Sequence, residues 1–262
     1  MTAKQVLCMK WGTTYGSDYV NKLYAMVRAN TTGPLRFVCM TDDKTGIRAE
    51  VECLPCPEAK IEPYYKNAGW RKVSLFGLSD SLYGIDGDWL FIDLDVMVTG
   101  NMDGFFEHMP EQPFIVMRNW TQMDKKIGNT SVYRFRVGCA PYLLEKLESD
   151  FLGYLAKYNN SQTFISNEIK PDLLAFWPDA WCQLFKVQSV PSWPLRYFKA
   201  PIIPAGCKIL AFPGMPNPPE AAQGIWPEKK WHKRLYKYIR PSPWIEAIWD
   251  ESEKKAAAVS AK

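Results

Sequence analysis

The chain has 262 residues, 47% of them hydrophobic, which is enough to bury one large α/β core, and its 14% aromatic content with 11 Trp excludes disorder. Its 32 Lys and Arg against 28 Asp and Glu leave a net charge of +4, too small an excess to imply nucleic-acid binding. Residues 1–10 lack the apolar run of a signal peptide, and no stretch approaches the roughly 20 apolar residues of a membrane span, so the seven scattered cysteines are expected as reduced thiols of a cytoplasmic protein.

Gln5 to Met9 (QVLCM) is an apolar run suited to a buried strand, followed by a loop over Trp11 to Gly16. Ser17 or Asp18 caps the helix that follows, since a short side-chain oxygen satisfies the first free N–H groups. Tyr19, Leu23, Met26 and Val27 then recur at helical spacing. Leu35 to Met40 (LRFVCM) predicts a second strand ending in Thr41-Asp42-Asp43, and Val51 to Leu54 a third. Val73, Phe76, Leu78 and Leu82 place a helix over 70–82. Asp88 to Leu94 (DWLFIDL) is a strongly apolar strand that stops at acidic residues. This alternation predicts a mostly parallel central sheet flanked by helices.

The second half is less regular. Phe114 to Met117 and Ser131 to Phe135 read as strands, and Tyr142 to Tyr158 as a helix carrying Leu143, Leu147, Phe151 and Leu155. From Pro171 onward many of the 20 prolines cut the chain into short segments that suit loops around a site. The expectation is a single domain over 1–252, with a Rossmann-like nucleotide-binding half to about residue 105, an acceptor half after it, and a flexible tail over 253–262. Cys53-Leu54-Pro55-Cys56 is the one CxxC; with only His108 and His232 as further soft ligands, the cysteines read as structural.

The sharpest chemical feature is Leu90-Phe91-Ile92-Asp93-Leu94-Asp95. An apolar strand delivers two carboxylates, one residue apart, to the sheet edge where ligands bind in parallel α/β folds. Alternation puts Asp93 and Asp95 on the same side. Two carboxylates there are costly without a neutralising cation, and hard oxygen ligands favour Mg²⁺ or Mn²⁺.

Cys8-Met9-Lys10-Trp11-Gly12, Thr41-Asp42-Asp43, Trp70-Arg71-Lys72, Asp93-Leu94-Asp95 and Gly100-Asn101-Met102-Asp103 follow one another in the order of a nucleotide-sugar transferase. Over about residues 5–250 the chain resembles bacterial GT-A glycosyltransferases related to family 8, which includes glycogenin and lipopolysaccharide galactosyltransferases. The resemblance implies transfer from a nucleotide-sugar donor, UDP being commonest, to a carbohydrate or lipid-linked glycan acceptor, with retention of configuration. It implies that Asp93 and Asp95 hold the Mn²⁺ or Mg²⁺, that Lys10, Trp11, Gly12 and Tyr15 border the nucleotide with Asp42 or Asp43 at its base or ribose, and that Arg71 and Lys72 meet phosphate. Asn129 and Ser131 would contact the sugar. Gln162, in Asn160-Ser161-Gln162, matches an amide near the anomeric carbon. Ser161 stands where an acidic residue is usual, which leaves Asp179, Asp172 and Glu168 as alternative carboxylates.

One departure concerns the metal. The family's third ligand is a His in a turn near the C-terminus, and Pro213, in Phe212-Pro213-Gly214-Met215, stands at that place. Gly214 and its loop, with Lys208, remain available to the diphosphate. Two rival readings share the DxD: a haloacid-dehalogenase-type phosphatase with Asp93 as nucleophile, and a non-catalytic nucleotide-sugar-binding relative.

Overall fold

A computed structural model describes residues 3–62, 64–65, 68–79 and 83–260. In chain order the elements are β1 (Lys4–Lys10), α1 (Ser17–Ala29), β2 (Leu35–Thr41), β3 (Glu52–Leu54), a 3₁₀ helix (Gly69–Gly77), β4 (Asp88–Ile92), β5 (Val96–Val98), α2 (Gly104–Glu107), β6 (Phe114–Arg118) and β7 (Gly128–Arg136). There follow α3 (Tyr142–Ser149), α4 (Phe151–Lys157), α5 (Ser161–Glu168), β8 (Leu174–Phe176), β9 (Cys182–Leu184), β10 (Ile209–Ala211), α6 (Pro218–Gln223) and α7 (Trp244–Ser260). Among the described residues no helix is long and apolar enough to cross a membrane.

The chain forms two compact units that interleave in sequence. The first comprises Met1–Val20, Gly33–Leu94 and Gly104–Trp177. It contains a seven-stranded sheet in the order β3-β2-β1-β4-β7-β6-β8. β3, β2, β1 and β4 run parallel, and only β7 is reversed, pairing antiparallel with β4 and β6. The expected mostly parallel α/β sheet is therefore present. Its central strands are apolar on both faces: Val6, Leu7, Cys8, Leu90, Phe91 and Ile92 are fully buried. Phe76, Phe91, Phe114, Tyr133 and Phe135 pack on one another in the core of this unit.

Two helix expectations in this unit need correction. The segment after Gly69 is a nine-residue 3₁₀ helix that ends at Gly77; Leu82 lies outside the described residues. With three residues per turn, Trp70, Val73 and Phe76 align on one buried stripe, so a spacing of three decides the geometry. The single helix expected over 142–158 is two helices. Asp150 breaks it with φ −152°, and its carboxylate accepts from Gly153 N at 3.0 Å, capping α4.

The second unit comprises Asn21–Thr32, Asp95–Asp103 and Pro178–Lys262. Its three-stranded sheet has β10 in the middle, antiparallel to β5 and parallel to β9. Glu253 to Lys262, expected as a tail, is helical as far as Ser260, and Ser252 and Ala256 are buried on α7.

Candidate functional site

Registry fixes what meets at one edge of the large sheet. The parallel strands β1, β2 and β4 end there with Lys10, Thr41 and Ile92, and the reversed β7 begins there, because Ile92 is opposite Val132. Asp93 N donates to Ser131 O at 2.8 Å, continuing that pairing past the strand. The sequence-predicted Lys10, Gly12, Asp42, Asp93, Asn129 and Ser131 are thereby brought to one edge, where such sheets bind ligands.

Backbone hydrogen bonds set the details. Gly12, at φ +60°, donates its N–H to Asp42 Oδ2 at 3.0 Å, which ties the loop after β1 to the loop after β2. Only a residue without Cβ takes that backbone conformation at little cost. Lys10 Nζ donates to Asp43 O at 3.3 Å, while the Asp43 carboxylate accepts from Thr45 N at 2.9 Å. Hydrogen bonds from Thr45 hold the Asp43 carboxyl below its ordinary range, so Asp43 organises its own turn. A concavity of about 470 Å³ opens beside it, lined by Thr41, Asp42, Lys44, Cys53, Leu54 and Pro55. Trp11 packs partly buried against the core, and Tyr15 meets Tyr19 edge-on at 4.9 Å.

Asp93 has an immediate partner. Lys72 Nζ lies 2.5 Å from its Oδ1 and 2.6 Å from its Oδ2, with the two side chains 13% and 17% exposed. The 3₁₀ stripe that buries Trp70, Val73 and Phe76 sets the position from which Lys72 reaches the carboxylate. Cys56, whose Sγ lies 4.0 Å from Lys10 O, has its pKa raised to about 11, mainly by burial, with the charge of Arg71 opposing. All seven cysteines are free thiols.

Asn160 caps α5, its Oδ1 accepting from Thr163 N at 2.9 Å. Ser161, where the family resemblance expects an acid, is buried and donates to Gly69 O at 3.0 Å, so it fastens α5 to the start of the 3₁₀ helix. Ser166 Oγ accepts from Gly128 N at 2.9 Å and donates to Gln162 O, tying the same helix to the start of β7. Gln162 thus stands in the first turn of a helix anchored at the edge described. Among the alternative carboxylates, Glu168 accepts from Tyr158 Oη at 2.5 Å, Lys157 at 2.9 Å and Lys146 at 3.1 Å. Asp172 is exposed, with its backbone oxygen bonded by Gln112. Asp179 falls in the second unit and is exposed. Trp177 is core, 4.9 Å from Phe105.

Asp95 begins the middle segment of the second unit and is 8% exposed. It directly precedes β5, Phe212-Pro213-Gly214 directly follow β10, and Phe185-Lys186 directly follow β9. Because Ala211 is opposite both Val96 and Leu184, all three meet at one end of the small sheet. Phe212 N donates to Asp95 O at 2.9 Å, and Phe212 stacks on Phe185 at 4.4 Å. Lys186 Nζ donates to Met215 O at 3.2 Å and to Pro213 O. Burial lowers the pKa of Lys186, Lys237 adds to that, and Asp95 opposes it. Lys208 instead lies 3.8 Å over the ring of Trp181. Asp103 holds Thr32 through N–H and hydroxyl at 2.9 and 2.8 Å, so the acidic turn over 100–103 is structural.

Lys186 is the residue that sequence reasoning missed. Leu184-Phe185-Lys186 is a short apolar pair ending in a charge, and the three residues Cys182-Gln183-Leu184 give no periodicity by which to recognise a strand.

No protein-family model matches the chain, and no curated protein sequence does. Solved structures match in fold. The apo form of glycosyltransferase GlyE from Streptococcus pneumoniae superposes with a TM-score of 0.54 at 13% identity, over 98% of this chain and 62% of GlyE. LgtC, a galactosyltransferase solved in complex with donor and acceptor sugar analogues, gives 0.55 at 10% identity over 95% of each chain. An active-site mutant of LgtC gives 0.55 at 10% identity, over 82% of this chain and 89% of that one. The chain therefore spans less than two thirds of GlyE. The fold is that of the GT-A glycosyltransferases. Within that fold the chain is similar to GlyE and LgtC.

Proposed function

We propose that the chain is a glycosyltransferase, moving a sugar from a nucleoside-diphosphate sugar, with UDP as the nucleotide, to a hydroxyl of a carbohydrate or lipid-linked glycan. The observation that carries this reading is the convergence of Lys10, Asp42, Asp93, Asn129 and Ser131 at one strand-end edge of a GT-A sheet. Asp42 lines the concavity beside the loop after β2 and is assigned to the base or ribose. Arg71 is assigned to phosphate, a role its guanidinium suits by presenting a fork of donors. Asn129, whose Oδ1 is fixed by Ser131 N at 2.9 Å, and the Ser131 hydroxyl serve the sugar. The Gln162 amide serves the anomeric carbon, which the acceptor hydroxyl attacks with retention of configuration as the diphosphate departs. A cytoplasmic setting would keep seven free thiols reduced.

The residues present do not fit the divalent cation that the motif implies. Both oxygens of Asp93 face the Lys72 ammonium. Pro213 offers no side-chain donor, and its carbonyl is bonded by Lys186. Among the described residues no three His, Cys, Asp or Glu gather as a metal cluster. No step is therefore assigned to a metal.

The test is UDP release from a panel of UDP-sugars with and without added glycan acceptors. Acceptor-dependent release from one donor, lost in Asp93→Asn, is expected. Hydrolysis of p-nitrophenyl phosphate that depends on Asp93, with no UDP release, would replace the transferase by the phosphatase.

A further inference from the structure

Asp95, Phe185-Lys186 and Phe212-Pro213-Gly214 meet at one end of the small sheet, and the sequence resemblance implies a divalent ion held by Asp93, Asp95 and a His from the turn after β10. The turn has Pro213 instead, and Lys186 Nζ sits inside it, donating to the carbonyls of Pro213 and Met215. These two carbonyls present the ammonium with oxygen, the kind of atom that would otherwise coordinate a hard cation. The position is built rather than incidental. Lys186 follows β9 in a single π-turn over Phe185–Ser189, a rare local geometry that is frequent at functional sites. Leu184 N is held by the Gln188 side chain at 2.8 Å, and the Phe185–Phe212 stack clamps the two segments that carry Lys186 and Pro213. Gly214 takes φ +64°, a backbone conformation that favours glycine, and lies against Lys186, whose Nζ would stand 3.8 Å from a Cβ there.

We propose that Lys186 is a built-in cation for a diphosphate: its ammonium, fixed by the Pro213–Met215 turn, supplies the positive charge that a metal ion would bring, and the protein binds nucleoside diphosphates without divalent metal. This rests on the nucleotide-sugar reading and adds to it the means of phosphate recognition. The second unit alone supplies the groups involved.

The experiment is calorimetric titration of UDP and of inorganic pyrophosphate into the full chain, in excess EDTA and again in Mn²⁺. The wild type is expected to bind UDP with the same affinity in both. Lys186→Met is expected to lose on the order of 10–100-fold, the worth of one charge-assisted hydrogen bond, and Lys186→Arg, which keeps the charge, to stay within a few-fold of wild type. A matching circular-dichroism spectrum and melting temperature for the Met variant separate lost binding from lost folding. UDP binding that vanishes in EDTA and returns with Mn²⁺ overturns the proposal and leaves the transferase reading standing. So does equal affinity in wild type and Lys186→Met. Absence of UDP and pyrophosphate binding under every condition overturns both.

Discussion

At the end of β4 a carboxylate that the sequence offers as a metal ligand already has a counter-ion. Asp93 and Lys72 are each mostly buried and lie within 2.5 Å of one another, so each charge is tolerated there because of the other. Removing one partner leaves the remaining charge poorly solvated. Lys72→Met is therefore expected to lower stability by about 2 kcal/mol, below the cost for a fully buried pair because both groups still reach solvent. Urea midpoints at pH 7 measure the loss. In the same experiment, millimolar Mn²⁺ is expected to leave the wild-type midpoint unchanged, since a cation would first have to displace the ammonium; a Mn²⁺-dependent rise would show that the pair yields to metal. The motif was legible as two acids after an apolar strand. Its partner was not, because Lys72 reaches Asp93 across 21 residues of sequence and from a 3₁₀ helix rather than an α-helix.

The long strands were legible as elements because β1, β4 and β6 are built on apolar runs bounded by polar or turn residues, β2 has one polar interruption at Arg36, and the Val132–Phe135 part of β7 has one at Arg134. Three kinds of element escaped. The three-residue β5, β9 and β10 are too short for periodicity and exist only through non-local pairing. The 3₁₀ helix carries apolar residues at spacing three, which also satisfies half of a helical pattern. The break at Asp150 is set by a side-chain cap within an otherwise continuous helical stripe. Glu168, at the end of α5, shows what holds these helices once formed. Burial pushes its carboxyl up, but hydrogen bonds from Tyr158, Lys157 and Lys146 outweigh that and bring it down to about 2 from an ordinary 4.5. A folded-state value below the unfolded one means stability that is complete above pH 4.5 and lost as pH falls toward about 2. Glu168→Gln is expected to be less stable than wild type at pH 7, with the gap closing between pH 4.5 and 2. Urea unfolding at a series of pH values checks this; a gap independent of pH would assign the effect to packing of α3, α4 and α5.

At the scale of the whole chain, the two units are not two consecutive halves. The sequence reading placed one division near residue 105, as proximity along the chain invites. The second compact unit takes Asn21–Thr32, Asp95–Asp103 and everything from Pro178. The boundary crosses α1 between Val20 and Asn21 and passes between Leu94 and Asp95, inside the DxD itself. A segment as short as Val96–Val98 has a place only because β10, more than a hundred residues later, pairs with it. This makes a specific demand on folding. A chain ending at Trp177 contains every strand of the large sheet but deprives β5 of its only ladder partner in the small sheet, and exposes Val96, Met97 and Val98, each at most 1% exposed in the full chain. An unpaired apolar strand of that kind is an aggregation edge. The truncated chain is therefore expected to bind 8-anilinonaphthalene-1-sulfonate and to be cut rapidly by protease around residues 95–103, where the full chain resists. If the truncation instead stays monomeric, dye-free and as protease-resistant as the full chain, the first unit folds independently and the interleaving is only topological. If it aggregates, completion of the small sheet by the last third of the chain is a condition of the fold, and with it of the end where Asp95, Lys186 and Pro213 meet.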